Sequence, residues 1–528
     1  MNLNLRNFLP SLSMSPIAKS LLFSSGAIFS ILVLASYKGM LPLGLPDFFF
    51  LLVLSILAAA YRPGWMFLLL VTILPLETVN LAPVTFGTDI RPYQFLVLAI
   101  YAGLAVRFVS GRSFPAWPKP HAGDVFLSLI PIGAIVAVVN APDHMLSFRM
   151  AIILFSFLAL YVLFRMYIRT AEDVGRILPF VVLATVLVIS LSIFQNALFL
   201  YGDRSYEVMP GRPNGSFPEA DWLGVFLVFS YAAFLAAGYM ISSRSSSFEQ
   251  SFRMKRSTFL FLGLVGVLTA LTISVSRSAW LGAAIAVVIA IILTILAKRF
   301  RVCGFIFVTS VAAQFVAIMI ITSVPLTDFD LSGRANSVGT GQQTITISCE
   351  RGTLPPTGVS TTDELAAFGC RHINLDEIPF EMTSGYVIAE IQRNDPNISI
   401  RKAIYDRSIA LGSEHPFIGV GWGSITRVLG TDARGAGLNA SNVFLEIWLG
   451  SGLFGIVGFV GFLVLLAYRA FRDFRRFRGT FPFFLITAFS GLIMFDLFNS
   501  GILLGFVWAI LGVSGSYLFR EASFSETL

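Results

Sequence analysis

The chain has 528 residues, 56% of them hydrophobic and only 13% charged, with a formal net charge of +7. A soluble domain carries roughly a quarter charged residues, so this composition excludes an ordinary water-soluble fold. The positive excess does not mark a nucleic-acid binder: its densest stretch, 468–479, abuts a hydrophobic run, no nucleic-acid module accompanies it, and topology with anionic lipid accounts for it.

Crossing ~30 Å of hydrocarbon takes about 20 apolar residues. Such runs recur along the chain and predict spans over 20–37, 46–61, 63–80, 92–108, 124–140, 147–165, 176–201, 221–242, 258–276, 279–297, 303–324, 442–468, 481–498 and 501–519. The expectation is an all-α polytopic membrane protein of about 14 transmembrane helices. The runs lack two-residue alternation, which excludes a closed barrel. The N-terminal stretch has a basic start and an apolar segment but no clear small-residue cleavage site, so it reads as the first span.

Lys and Arg accumulate on cytoplasmic loops. One alternating set of loops holds Arg62, then Arg107, Arg112 and Lys119, then Arg165, Arg169 and Arg176, and then Arg244, Arg253, Lys255 and Arg256. It continues with Lys298, Arg299 and Arg301, and ends with Arg469, Arg472, Arg475, Arg476 and Arg478. The other set holds only Lys38, Arg91, Arg149, Arg204, Arg212 and Arg277 in its short loops. Both termini are therefore expected in the cytoplasm. The expected organisation is N-terminal transmembrane helices over 1–200, a helical segment with two Arg motifs over 201–324, a large outer loop over 325–441, and C-terminal helices over 442–528.

Two outer segments break the hydrophobic pattern, 202–221 and about 325–441. The second is long enough to form a small cap. Its start, 328–356, is rich in Ser, Thr and Gly and reads as irregular. Its end, 400–412, sets Ile400, Ile404, Ser408 and Leu411 on one helical face, as for an amphipathic helix lying over the membrane. Cys349 and Cys370 both fall in this loop, where a disulfide and two unpaired thiols are alternative outcomes. No His or Cys recurs at ligand spacing, so no metal site is expected.

Ionisable residues are nearly absent from the span centres, which disfavours an ion-coupled transporter or flippase. They gather instead at outer helix ends, as Glu77, Arg149, Arg212, Glu219, Asp221, Arg277, Glu446 and Asp496. Three segments of distinctive sequence lie on that side. PGRPNGSFPEADWLG spans 210–224, SVSRSAWLG spans 274–282, and EHPFIGVGWG spans 414–423, followed by LNASNVFLEIWLGSGLFG over 438–455.

In their order these segments resemble the bacterial O-antigen ligase and polysaccharide repeat-unit polymerase superfamily, over roughly residues 200–465. Arg212, Arg277, His415 with Pro416, Gly419 and Gly421, and Asn442 with Leu445 and Glu446 correspond to the family's recurrent positions. One position departs: the family's usual His before Asn442 is Ser441. The resemblance implies transfer of a glycan from an undecaprenyl-diphosphate carrier to a hydroxyl group, at the periplasmic face of the inner membrane and with neither metal nor other cofactor. Flippase and chain-length regulator proteins are partners implied on the same basis, together with membrane lipids.

Arg212 and Arg277 suit the role of holding a diphosphate leaving group, because a guanidinium stays charged and grips two phosphate oxygens at once. A serine cannot replace an imidazole as a base near neutral pH. Proton removal then falls to His415, or to a carboxylate such as Glu414 or Glu446, or else the transfer relies on positioning. Asn214 and Asn442 are candidates for binding the substrate, Asn442 being equally a helix N-cap, and Trp422 for stacking on a sugar. The expected activity is polymerisation of lipid-linked repeat units. Its alternatives are an O-antigen ligase acting on lipid A core or another acceptor, and a lipid-linked sugar flippase.

Overall fold

The computed structural model describes residues 15–519 apart from 203–205, 210, 244–249, 328, 330, 334–341, 351–357, 360–361, 374–376, 395 and 432–436. Arg204, Pro210, Arg244 and part of 328–356, named above, lie outside the described residues, as do the side chains of Arg253 and Lys255. Among the described residues, eleven α-helices precede the cap: α1 (Pro16–Tyr37), α2 (Leu45–Tyr61), α3 (Pro63–Ile73), α4 (Pro92–Val109), α5 (Ala122–Ala137), α6 (His144–Tyr167), α7 (Ala171–Leu200), α8 (Ala220–Ser243), α9 (Gln250–Ile273), α10 (Arg277–Leu296) and α11 (Phe300–Ser323). The cap contains β1 (Gln342–Cys349), β2 (Gly358–Val359), β3 (Cys370–His372), α12 (Ile378–Thr383), β4 (Val387–Asn394), α13 (Pro396–Glu414) and α14 (Ile425–Leu429). Three helices follow it: α15 (Val443–Phe477), α16 (Thr480–Asp496) and α17 (Gly505–Phe519).

Each of the predicted spans overlaps one of these helices. Among the described residues, 10 helices are long and apolar enough to cross a membrane, and the four shorter apolar ones are α2, α3, α16 and α17. The run read as a span over 63–80 is helical only to Ile73. Pro75 has no N–H to continue the ladder, and the chain beyond it is held instead by Glu77 N and Thr78 N donating to Ser216 O (2.9 and 3.1 Å). Lipid tails give helices no hydrophobic reason to associate, so close packing of small residues carries the contacts. A Cβ on Gly282 of α10 would lie 2.8 Å from Gly491 O of α16, and one on Gly224 of α8 would meet Ala279 Cβ of α10 at 2.5 Å. These approaches bring α8, α10 and α16 together.

The cap corrects the sequence reading in two places. Its first part carries β1, in a four-stranded sheet of order β2-β4-β1-β3. β1 is antiparallel to both β3 and β4, with Ile345 opposite Ile391 and Cys349 opposite Cys370, and β2 runs parallel to β4. Ile345, Ile347 and Cys349 alternate along β1 and fill a small core with Val359, Leu365, Cys370 and Ile391. Cys349 and Cys370 are joined by a disulfide. Second, α13 packs along the first turns of α15: Tyr405 reaches Ser441 and Gly412 closes on the ring of Trp448. Its buried face is Ile404, Ser408 and Gly412, while Ile400 is exposed.

Candidate functional site

The turn between α9 and α10 lies on the side of the bundle from which the chain enters the cap. Val275 sits there in the left-handed region, at φ 51°, although it is β-branched and buried. Such a conformation costs on the order of 1–3 kcal/mol and persists only where surrounding packing dictates it. It turns the chain so that Arg277 becomes the first residue of α10. A cation at a helix N-terminus opposes the helix dipole, so this arginine is not there to stabilise the helix. The guanidinium and the first-turn N–H groups instead share one preference, for an anion.

Arg212 converges on the same turn. Its Nε donates to Ser274 O (3.2 Å), its Nη2 reaches Asp221 Oδ1 (3.5 Å), and its Nη1 lies 3.6 Å from Met209 Sδ. A thioether is a weak acceptor and a 3.5 Å contact a loose one, so the guanidinium keeps donor capacity for a stronger anion. The N-cap residue Ser276 does not cap α10 with its side chain. Its hydroxyl donates to Asp221 and approaches Ser278 Oγ (3.3 Å), to which Asn499 Nδ2 also donates (2.7 Å). Asp221 thus orients both Arg212 and the turn, and Asn499 ties the turn to the loop between α16 and α17.

That loop also carries the N-terminus of α15. Asn442 caps it, with Oδ1 accepting from Phe444 N (2.9 Å) and Leu445 N (3.2 Å), while Nδ2 donates to Leu497 O (3.2 Å). Glu446 is buried and its Oε2 accepts from Ala440 N (2.6 Å). Ser441, just before Asn442, is left-handed at φ 48° and its hydroxyl is 3.2 Å from Asn439 Oδ1. Above, Tyr405 Oη lies 2.8 Å from Leu497 O and 3.1 Å from Ser441 O. Burial pushes the Tyr405 phenol pKa up, which keeps it a neutral donor.

The segment 415–423 behaves differently. At Gly452 the backbone of α15 leaves helical values (φ 61°, ψ −156°) and the ladder breaks. The loop fills the gap: Val420 N and Gly421 N donate to Leu449 O (2.7 and 3.1 Å), and Leu453 N donates to Phe417 O (3.1 Å). Backbone groups freed inside a membrane protein must be satisfied by protein, and this loop does it. Gly419, at φ 79°, allows the approach, since a Cβ there would lie 2.5 Å from Leu449 O.

The structure thus brings Arg212 and Arg277 onto one turn and joins Asn442 to it through the 497–499 loop, while Glu446 holds the chain before the N-cap residue at Ala440 N. It sets the other expected residues apart. His415 and Glu414 are exposed at the C-terminal end of α13. Asn214 is buried, holding its own loop through Val208 N and Phe217 O. Trp422 is also buried: it packs on Gly450 and its indole donates to Ser451 Oγ (2.7 Å), so no ring face is open to a sugar. Asp221, Ser276, Ser278, Asn499 and Tyr405 were missed as site residues. Ser276 and Ser278 flank Arg277 within the quoted motif, and Asn499 lies in an Asn-Ser-Gly turn between two apolar runs, so part of the signal was present.

Residues 262–460 match the protein family described as O-antigen ligase. The match begins within α9 and ends within α15, taking in Arg277, the cap, the 415–423 loop, Asn442 and Glu446. It is narrower than the resemblance read from the motifs and excludes the Arg212 loop. No protein of curated function and no solved structure matches the chain.

Proposed function

From the premise that residues 262–460 match the O-antigen ligase family, in a polytopic helical membrane protein, we propose a specific activity in glycan transfer. The chain polymerises undecaprenyl-diphosphate-linked oligosaccharide repeat units for an exopolysaccharide, capsule or O-antigen. The reaction takes place at the periplasmic face of a bacterial inner membrane, with both termini in the cytoplasm. The observation that carries this reading is the meeting of two arginines at one helix start: Arg212 donates to Ser274 O (3.2 Å), three residues before Arg277.

As the glycosidic carbon is attacked by the acceptor hydroxyl, the bond to the diphosphate breaks and negative charge grows on the departing oxygen. Two guanidinium groups and the N–H groups of the α10 first turn stabilise that charge in a preorganised setting. Asp221 holds Arg212, and through Ser276 the turn that bears Arg277, in place beforehand. The acceptor hydroxyl proton passes to the departing diphosphate as the new bond forms, and positioning by the α15 N-terminus contributes the rest of the rate. Membrane lipids, a flippase delivering the donor and a chain-length regulator complete the proposed setting.

The family's description favours a second reading, ligation of a finished glycan to lipid A core or another acceptor. Purified protein in liposomes with a diphosphate-linked repeat unit as sole substrate separates the two. Lengthening of the lipid-linked chain is the expected result. Transfer only when a lipid A core acceptor is added would establish the ligase, and translocation without new glycosidic bonds would overturn both.

A further inference from the structure

At the end of α15 opposite the cap, Tyr468, Phe471, Arg472, Arg475 and Arg476 line an open groove of about 440 Å³. They recur at three- and four-residue spacing, so one exposed helix face carries them all. The opposite face is buried through Leu466, Ala470, Asp473 and Phe474. Asp473 accepts from Tyr517 Oη (2.8 Å) and pairs with Arg469 (3.3 Å) and Arg472 (3.2 Å). Among the described residues, neither Arg475 nor Arg476 has a carboxylate within ion-pair distance. Their guanidinium groups rest instead on the rings of Phe471 (5.9 Å) and Phe477 (5.0 Å).

We propose that this groove binds the headgroup of an anionic phospholipid. Its position supports that occupant over a soluble anion. The two helical segments of α15 on either side of Gly452 together rise about 35 Å from Val443 to Tyr468, more than the ~30 Å of hydrocarbon, so Tyr468 stands at the lipid boundary and the arginines at headgroup depth. Its lining joins aromatic rings, suited to the glycerol and upper acyl carbons, to guanidinium groups suited to a phosphodiester. The cation–π contacts hold the arginines beside the rings without neutralising them.

The test is native mass spectrometry of the full chain released from nanodiscs containing phosphatidylglycerol and phosphatidylcholine. The unaltered protein is expected to retain phosphatidylglycerol selectively. Arg475→Ala with Arg476→Ala should lower that retention at least fivefold. Lys298→Ala with Arg301→Ala removes two charges from a different loop and should change it less than twofold. Tyr468→Ala keeps every charge, is less apt to disturb insertion, and should lower retention about threefold. Equal losses from the two double variants would reduce the effect to general charge and overturn the site. So would unchanged retention in the Arg475/Arg476 and Tyr468 variants, or complete displacement of the lipid by millimolar inorganic phosphate.

Discussion

The segments 210–224 and 414–423 look alike in sequence: both are Gly- and Pro-rich, and both lie on the cap side of the bundle. In the first, the chain satisfies its own backbone, with Asn214 and Gln195 bonded to it, and Arg212 keeps part of its donor capacity. In the second, the backbone is the working part, because it closes the break at Gly452, and the charged residues at its start are left on the outside. The contrast teaches that glycine clusters at a membrane surface serve two ends. Some shape a loop that presents a side chain, and others let one backbone repair another.

The widest separation is expected from Arg277→Ala and Arg212→Ala. Each should lower transfer from a lipid-linked donor by 100-fold or more, as removal of a leaving-group or oxyanion donor does in other enzymes. Protein yield and thermal unfolding should stay as in the parent. Arg277→Lys retains the charge but not the fork, so its activity should fall between the two. Parental turnover in both alanine variants would remove the arginine turn from the mechanism.

Gly452→Ala should show the reverse pattern. A Cβ there would lie 2.2 Å from Phe417 O at φ 61°, so strain and overpacking together cost about 3 kcal/mol. The loss should appear as lower yield and a lower unfolding temperature in detergent, with activity per folded molecule within about threefold of the parent. If the variant folds normally but is inactive, the loop acts on substrate and the contrast with 210–224 fails.

How much of this was legible beforehand follows the same division. The membrane spans were, because a 20-residue apolar run has few other fates. Arg212 and Arg277 were singled out by the motifs around them, and their meeting on one turn adds geometry to that choice. The break in α15 was not legible: Gly450, Ser451 and Gly452 lie within an apolar run, and hydropathy does not register a positive φ. β1 was hidden too, since its Thr and Ser made 328–356 read as irregular although Ile345, Ile347 and Cys349 keep strict alternation. Trp422 shows the limit at single residues, for an indole beside glycines is equally a sugar platform or a core residue until its N–H partner, Ser451, is seen.

Within the arginine turn, a smaller loss probes the supporting bonds. Ser276→Ala removes the hydroxyl between Asp221 and Ser278, and Asn499→Ala removes the tie to the 497–499 loop. A hydrogen bond of this kind contributes about 1–1.5 kcal/mol, so each should cost roughly tenfold in turnover. Steady-state kinetics at saturating donor would measure it. A change in KM alone would mean that these bonds shape donor binding but not the reactive arrangement.

The smallest effect is expected at His415, the imidazole that chemistry alone would choose as the base. It is exposed at the end of α13, and its backbone is engaged in the loop that repairs α15, with Gly419 N donating to His415 O (2.9 Å). Gly412, three residues before it, packs on Trp448, six residues along α15 from Asn442, which corresponds to a rise of roughly 9 Å. A base must come within about 3 Å of the proton it takes, directly or through one water. His415→Ala should therefore reduce turnover less than threefold and leave the pH profile between 5 and 8 unchanged. A 100-fold loss with protein yield unchanged would return His415 to the chemistry. It would also require the 415–423 loop to swing its side chain toward Arg277 when substrate binds, and the two Gly-rich segments would then form one site.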